Sequence, residues 1–344
     1  MTRRTLNHST MAWALLTCLA VMALAASAAL AAVSGPCVNC HTMHNSQDGA
    51  KMVTTTGDSA IAHLTLNNCV GCHTNGGVGG APVIDGNYNV DSCAGGTFKD
   101  AGTEGQIVAS DAGVHNVDIA LSALGEDDTF TSAIPGLTKG MNLGAGSTDP
   151  NDLTCAGASG CHGDSTVDDN DAGISGFHHG GKDGYRYLQI ADTHTAVQGK
   201  GAADWEAAMS DGWETGEEHN VYSSSTTAGI NKLCANCHPD FHGSANTSDG
   251  TNWIRHPTDN AIPTTGGWSA TVNYRDNPFA FADVSALDTT GTYTTDNAQV
   301  ACISCHRAHG TPYDDILRWD YSAQSAGSAL TSGCLGCHNK QRGS

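Results

Sequence analysis

The chain has 344 residues, in which 15 Lys and Arg stand against 35 Asp and Glu, so its formal net charge is −20 at pH 7. Nucleic acid is bound by clustered basic side chains, and this charge balance excludes a nucleic-acid-binding protein. Aromatic residues make up 6% of the chain and glycine occupies 42 positions, which excludes a large conventional hydrophobic core as the main source of stability.

Residues 1–31 have the features of a secretory signal peptide. Arg3 and Arg4 precede an apolar run from Met11 to about Leu30, which ends in small residues suited to cleavage. A retained anchor helix is the alternative, because the run is long enough to span a membrane. We predict cleavage and export to the cell surface or the extracellular space, with no membrane span in the mature chain. The periplasm is the alternative location.

Five short segments of the mature chain share the pattern Cys-x-x-Cys-His. They are Cys37-Cys40-His41, Cys69-Cys72-His73, Cys234-Cys237-His238, Cys302-Cys305-His306 and Cys334-Cys337-His338. Two cysteines at this spacing can each form a thioether to a porphyrin vinyl group, and the next histidine then reaches the iron. Structural zinc is the alternative, but zinc does not require a histidine directly after the second cysteine. The pattern therefore predicts covalently attached haem c.

A sixth segment has a longer spacing, with Cys155, Cys161 and His162 in the pattern Cys-x5-Cys-His. The residues between the two cysteines are small enough to loop out, which would keep both sulfurs over the vinyl groups. The alternatives are a disulfide between Cys155 and Cys161, or a bridge from either of them to Cys93. Cys93 is otherwise left as a lone thiol. We predict six haem c groups, or five if this segment carries none.

Few stretches show helical or alternating periodicity, so we predict a mostly irregular chain with short helices and few short strands. In chain order, the expected elements are surface hairpins within residues 76–150, a helix over 202–210 and a helix from Pro312 to about residue 323. Residues 32–344 are predicted to form one domain around the haems. Its part 32–150 carries the first two haems and a glycine-rich loop region, and 151–344 carries the other four. The haems would supply the apolar surface that the chain lacks.

Ten further histidines of the mature chain are available as second axial ligands. They are His44, His63, His115, His178, His179, His194, His219, His242, His256 and His309. Such an excess favours bis-histidine ligation, which is typical of electron carriers. The predicted distal ligands are His44, His115, one of His178 and His179, His242, His256 and His309. His219 is the strongest reserve, His63 is a further candidate, and His194 is the weakest.

Three of these histidines follow a motif histidine closely. His44 and His309 come three residues after His41 and His306, and His242 comes four residues after His238. Neither member of such a pair can serve the iron of the other, because axial ligands approach opposite faces of one ring. Each can instead bind an adjacent haem, which predicts a packed row of haems.

Four segments resemble extracellular multihaem c-type cytochromes of metal-reducing bacteria, a family with filament-forming outer-membrane members. They are residues 37–46 (CVNCHTMHNS), 234–242, 255–257 and 302–309. The resemblance implies a fold organised around a chain of stacked haems, with bis-histidine ligation and alternating parallel and perpendicular haem pairs. It also implies that His44 reaches a haem of the next subunit in a head-to-tail homopolymer. The alternative is that His44 serves its own subunit.

The predicted function is electron conduction to extracellular acceptors such as metal oxides, or to other cytochromes, as a subunit of a haem-lined filament. A soluble electron shuttle is the first alternative. A multihaem oxyanion reductase is the second, but a catalytic haem needs an open iron position, often marked by lysine in place of the motif histidine. All six motifs end in histidine, so we predict that the chain is not an enzyme.

Overall fold

The structure is a computed structural model of the chain. It describes residues 36–44, 46–47, 50–51, 64–65, 69–73, 81–84, 94–98, 113–115, 117, 134–137, 153–180, 182, 184–201, 219–243, 255–262, 276–284, 298–325 and 332–338. Within these ranges, no helix is long and apolar enough to cross a membrane.

All regular elements among the described residues are short. The α-helices are α1 (Cys69–Cys72), α2 (Asn170–Gly173), α3 (Ile230–Ala235) and α4 (Cys334–Cys337). The 3-10 helices are Cys37–Asn39, Tyr185–Tyr187, Pro239–Phe241, Cys302–Ser304, Asp314–Ile316 and Tyr321–Ala323. Most other described residues lie in turns and irregular backbone, so the predicted fold class is confirmed.

The strands are two or three residues long. They are β1 (Ser46–Gln47), β2 (Ala50–Lys51), β3 (Thr154–Ala156), β4 (Gly160–His162), β5 (Gln189–Ile190), β6 (Thr195–Ala196), β7 (Gly199–Lys200), β8 (Val221–Ser223), β9 (Ala280–Phe281) and β10 (Ala298–Gln299). Four of them form a sheet in the order β10-β9-β8-β7, in which β8 and β9 run parallel and the other neighbours run antiparallel. The remaining strands pair two by two, β1 with β2, β3 with β4 and β5 with β6.

The main apolar core surrounds this sheet. Phe279, Phe281, Val221 and Ile190 are almost completely buried there, and Ile303, next to Cys302, packs into the same cluster. A small conventional core therefore exists in the second half of the chain. Ile230 and Ala301, just before the cysteine motifs at residues 234–238 and 302–306, belong to the same cluster, so the core holds both motifs in place.

One predicted element is wrong and two lie outside the described residues. In place of a helix over 312–323, the chain forms the two 3-10 turns Asp314–Ile316 and Tyr321–Ala323. Positive φ angles at Asp315 and Ile316, 57° and 49°, end any right-handed helix at that point. The predicted helix over 202–210 and most of the region 76–150, where we predicted surface hairpins, fall outside the described residues.

The described parts of 76–150 pair with a distant segment. Gly96 and Val114 both form isolated bridges with Gly310, which links the loop region to the C-terminal part of the chain. A Cβ atom at Gly310 would lie 2.5 Å from the Val114 side chain and 2.6 Å from the Thr97 carbonyl oxygen. Only glycine therefore permits this close approach.

Candidate haem-binding sites

We number the six cysteine motifs as sites 1–6 in chain order. In sites 1, 2, 4, 5 and 6 the amide of the motif histidine donates to the carbonyl of the first cysteine, at 2.8–3.0 Å. The motif is thus a single helical turn, and residues four apart on a helix lie on the same face. The first cysteine and the histidine are therefore presented to one side, as attachment and ligation of a single haem require.

At site 3, paired strands rather than a helical turn bring the two cysteines together. β3 and β4 run parallel in the register Thr154–Gly160 and Ala156–His162, which places Cys155 alongside Cys161. The intervening loop is closed by hydrogen bonds from Thr154 N to the Ser159 carbonyl and from Gly160 N to the Gly157 carbonyl, both 3.0 Å. Neither cysteine forms a disulfide with the other or with another described residue. The longer spacing is absorbed by an ordered loop, and the geometry suits two thioethers.

Five motif histidines each face the ring of another histidine. The ring centroids are 6.1 Å apart for His41–His179, 6.3 Å for His73–His178, 6.3 Å for His162–His309, 6.2 Å for His238–His115 and 6.1 Å for His338–His256. A metal-bound imidazole nitrogen lies about 2 Å from the metal, and its ring centre is ~1 Å further out. Two axial imidazoles on one iron therefore have centroids roughly 6 Å apart, as these five pairs do.

The Nδ1 atoms of these rings are held by backbone carbonyl oxygens. Among the motif histidines, His73 donates to Pro82, His162 to Arg186, His238 to Pro135 and His306 to Asp315, at 2.7–2.9 Å. Among the facing histidines, His115 donates to Ala308, His256 to Pro257 and His309 to Gly96, at 2.5–3.0 Å. An Nδ1 proton engaged in this way leaves the lone pair of Nε2 available to a metal.

Burial keeps two of these imidazoles, His115 and His162, neutral. It lowers the pKa of His115 and of His162 to about 4, so both rings are uncharged at neutral pH and can act as ligands. Burial also raises the pKa of the Cys161 thiol to about 12, although the side chain remains in contact with solvent. Neutral imidazoles can ligate iron, and a thiol that solvent can reach is open to thioether formation, so both features suit haem attachment at site 3.

Two buried polar atoms also fit haem. The hydroxyl of Tyr187 and the indole nitrogen of Trp319 are buried, and neither has a hydrogen-bond partner among the described residues. Tyr187 lies edge-on to His178, 5.5 Å between ring centres. Buried donors of this kind are normally satisfied, and haem propionates are strong acceptors. The residues present therefore fit the cofactor that the motifs predict.

The sites follow one another in a row. The cysteines of successive sites that lie close together are Cys40 with Cys72, Cys69 with Cys155, Cys161 with Cys237, Cys234 with Cys302 and Cys305 with Cys337. A hydrogen bond from Cys155 lowers the pKa of Cys69, and donation to Cys302 raises the pKa of Cys234. In the other three pairs burial is the main cause of the raised pKa, and the neighbouring thiol adds to it. Each pair joins one site to the next, from site 1 to site 6.

Three predicted distal ligands face motif histidines within the chain, namely His115, His256 and His309. For His178 and His179 we predicted that one would serve, whereas both face a motif histidine, at sites 2 and 1. His242 faces no motif histidine among the described residues. Its Nε2, the atom that would bind iron, lies 2.7 Å from Oδ2 of Asp259. The adjacent pair at 178–179 thus supplies the ring that we expected from His242.

The remaining candidates have other surroundings. His194 is exposed and its Nδ1 lies 2.9 Å from Oγ of Ser165, while His219 is fully buried and its Nδ1 donates to the Asn220 carbonyl at 2.8 Å. His63 lies outside the described residues. His44 is exposed, and none of the described residues forms a hydrogen bond or ring contact with it.

Site 5 differs from the other five sites. No histidine ring among the described residues faces His306, although its Nδ1 is held by the Asp315 carbonyl at 2.8 Å like the Nδ1 atoms of the other sites. The carbonyl partners of the motif histidines were not predicted from the sequence. They are backbone groups, which a residue of any type can contribute, so no residue pattern predicts them.

Attachment motifs with facing imidazoles define the haem sites of a c-type cytochrome. A family model described as the doubled CXXCH motif matches residues 296–343, which contain sites 5 and 6. The chain is 24% identical to the C-type cytochrome OmcS of Geobacter sulfurreducens, over 91% of this chain and 86% of the relative. This similarity confirms the resemblance that the four sequence segments indicate.

Two solved structures are also similar to the chain. One is the outer membrane cytochrome S filament from Geobacter sulfurreducens, at 20% identity, with 87% of each chain covered and a TM-score of 0.44. The other is the structure of the OmcS nanowires from the same organism, determined by cryo-electron microscopy. It matches at 20% identity over 87% of this chain and 89% of that chain, with a TM-score of 0.41.

Proposed function

We propose that this protein is a multihaem electron conduit that assembles head to tail into a filament outside the cell. The observation that carries the proposal is the set of five facing imidazole pairs in a row of six sites, together with one motif histidine, His306, that no histidine ring among the described residues faces. Haem c supplies one-electron exchange between ferric and ferrous iron. The chain supplies two imidazoles at each of five sites, which leaves no open iron position for a substrate there.

The proposed cofactors are six haem c groups, one at each site. At sites 1–4 and 6 the distal ligands are His179, His178, His309, His115 and His256. Site 3 is included because the paired strands bring Cys155 and Cys161 together in register and His162 faces His309 at 6.3 Å.

The sixth distal ligand follows from an internal repeat. The same number of residues separates Cys37 from Cys69 as separates Cys302 from Cys334, and a histidine follows the first motif by three residues in both cases. In the second copy of the repeat this histidine is His309, which reaches back to the preceding odd-numbered site, site 3. In the first copy it is His44, and residues 1–36 contain no cysteine motif to which it could reach back. We therefore assign His44 to site 5 of a neighbouring subunit, opposite His306, which faces no histidine ring in the described part of its own chain.

The surface around the first motif supports contact with a second copy. Val38 is 47% exposed, Met43 is 79% exposed and Leu64 is 43% exposed. In the second copy of the repeat, Ile303 occupies the position of Val38 and is only 8% exposed, because it packs into the main core. Exposed apolar side chains beside a histidine that forms no hydrogen bond or ring contact with a described residue, as at His44, are typical of an assembly surface. An open head-to-tail contact of this kind produces a filament.

Export, extracellular acceptors such as metal oxides and contact with other cytochromes belong to the same proposal. They are supported by the predicted signal peptide and by the similarity to OmcS. The high negative charge favours cationic or positively charged mineral acceptors. A shuttle function would be favoured instead if the native protein forms discrete particles.

Electron microscopy of the native haem-loaded protein tests the proposal. We expect thin filaments from the natural chain and discrete particles from His44→Ala. His44→Ala should keep the full covalent haem count and gain one haem that binds carbon monoxide, because site 5 loses its distal ligand. His194→Ala is the matched control, since His194 is also exposed but faces no motif histidine, and it should still form filaments. Filaments from His44→Ala without a carbon-monoxide-binding haem would overturn the role of His44.

A further inference from the structure

Two pairs of neighbouring residues have a backbone conformation that L-amino acids rarely adopt. The φ angles are 50° and 62° at Arg186 and Tyr187, and 57° and 49° at Asp315 and Ile316. None of the four is glycine, and Ile316 is branched at Cβ, which makes the left-handed region especially unfavourable. Such conformations persist only where the surrounding structure holds them, and they concentrate at functional sites.

At site 3, the left-handed pair is bonded to the motif. The carbonyl of Arg186 accepts from Nδ1 of His162 at 2.9 Å, and the carbonyl of Tyr187 accepts from the amide of Gly163 at 2.7 Å. An isolated bridge between His162 and Leu188 continues the contact by one residue. Two successive carbonyls thus serve the motif histidine and the residue after it.

At site 5, a different sequence builds the same arrangement. The carbonyl of Asp315 accepts from Nδ1 of His306 at 2.8 Å, and the carbonyl of Ile316 accepts from the amide of Arg307 at 3.0 Å. An isolated bridge joins His306 to Leu317. The two sites share no side-chain pattern at these pairs, so the backbone conformation itself is the common feature.

Site 1 has part of the arrangement. Leu64 has a φ of 57°, its carbonyl accepts from the amide of Thr42 at 2.8 Å, and a bridge joins His41 to Thr65. Sites 2 and 4 differ, because His73 and His238 donate to the carbonyls of Pro82 and Pro135. The left-handed arrangement is thus found at the odd-numbered sites.

We propose that the pairs Arg186-Tyr187 and Asp315-Ile316 are positioning residues that fix the orientation of the His162 and His306 rings and their Nδ1 hydrogen bonds. A carbonyl that accepts the Nδ1 proton makes the imidazole a stronger donor to iron, which favours the ferric state. The pairs therefore hold the reduction potentials of sites 3 and 5 down and set the angle of the ring about its bond to iron. The inference rests on the haem ligation of the proposed function.

Asp315 is the position at which to test it. Its side chain is exposed and forms no hydrogen bond with a described residue, so replacing it disturbs no packing. Asp315→Gly and Asp315→Asn remove the charge and tolerate positive φ, whereas Asp315→Val removes the same charge but strongly disfavours it. Asp314→Val is the matched control, because it places valine one residue outside the left-handed pair.

The readouts are the electron paramagnetic resonance spectrum of the oxidised protein, an optical redox titration and the covalent haem count, all on the full haem-loaded chain. We expect Asp315→Val to change one low-spin signal and to move one haem to a more positive potential. Asp315→Gly and Asp315→Asn should share a small shift from the lost charge and keep the natural spectrum. Asp314→Val should resemble them.

Equal spectra and potentials for Asp315→Val and Asp315→Gly would overturn the inference. If Asp315→Val cannot be produced, Asp315→Ala replaces it, and the potential must then rise in the order Gly, Asn, Ala. A natural chain without low-spin bis-histidine signals would instead refute the proposed function, so the two failures are distinguishable.

Discussion

The two imidazole planes at site 6 cross at 77°, whereas the planes at the other four facing pairs differ by 21–43°. The angle between axial imidazoles governs how strongly the iron orbitals are split. Near-perpendicular rings give a low-spin ferric haem a much larger g-anisotropy than nearly parallel rings do. Site 6 is also the most open pair, because His256 and His338 are both exposed.

We therefore expect a highly anisotropic low-spin signal from site 6 in the electron paramagnetic resonance spectrum of the oxidised protein. His256→Ala should remove that signal and produce a high-spin one. His242→Ala should leave it unchanged, because Nε2 of His242 is directed at Asp259. Loss of the signal in His242→Ala would contradict the assignment of site 6.

The contact between His242 and Asp259 predicts an effect on stability. Oδ2 of Asp259 lies 2.7 Å from Nε2 of His242, and Oδ1 accepts from Nδ2 of Asn231 at 2.6 Å. Asn231 in turn accepts from the amide of Cys302 at 2.8 Å, so the network connects site 4 to site 5. Hydrogen bonds to charged groups contribute about 1.5–3 kcal/mol.

His242→Ala should accordingly lower the free energy of unfolding by ~1–3 kcal/mol, measured by denaturant titration, with all haems still low-spin. Asp259→Asn supplies the second arm of a double-mutant cycle. The two losses should be less than additive, because both substitutions break the same contact. Additive losses would show that the pair does not interact in solution.

Short elements followed from the sequence where the determinants are local. The motif spacing predicted a haem site, and in five of the six motifs one helical turn presents the first cysteine and the histidine to one side. The helix expected at 312–323 failed because the Asp315 and Ile316 carbonyls are bonded to His306 and Arg307, a tertiary contact stronger than local helix propensity. The pairing of His178 and His179 with sites 2 and 1 likewise depends on chain folding over a long separation, which residue spacing does not encode.

The loop of site 3 is an element whose shape depends on glycine, and Gly160 is the clearest case. A Cβ atom at Gly160 would lie 2.6 Å from the backbone nitrogen of Ala156, a contact that only a backbone shift can relieve. Such a shift would separate β3 from β4 and move Cys161 away from Cys155. Ser159 is partly exposed and contributes only its backbone carbonyl to the closure of the same loop.

Gly160→Ala should therefore reduce haem attachment at site 3, seen by intact mass as a population with one haem fewer. Ser159→Ala is the control and should keep the natural haem count. Full loading of Gly160→Ala would show that the attachment machinery tolerates a distorted loop. Haem attachment would then not depend on the loop geometry of the folded site.

Over the whole molecule, electrostatic repulsion opposes the assembly that the apolar contacts and His44 favour. Each chain carries a formal charge of −20 before the haem propionates are counted. Two copies that approach end to end therefore repel each other electrostatically. Salt screens charges that are further apart than a Debye length of about 10 Å at 0.1 M, whereas it leaves ligation by a neutral imidazole and apolar contact largely intact.

Assembly from dissociated subunits should therefore become faster and more complete as the salt concentration rises, as followed by light scattering and checked by electron microscopy. His44→Ala should remain dissociated at every salt concentration, because screening removes repulsion but does not replace an iron ligand. If salt instead dissolves the filaments, attraction between charges holds the copies together, and the contact lies elsewhere than at Val38, Met43 and Leu64. If His44→Ala assembles once repulsion is screened, the apolar surface alone is sufficient, and ligation across the junction is not what joins the subunits.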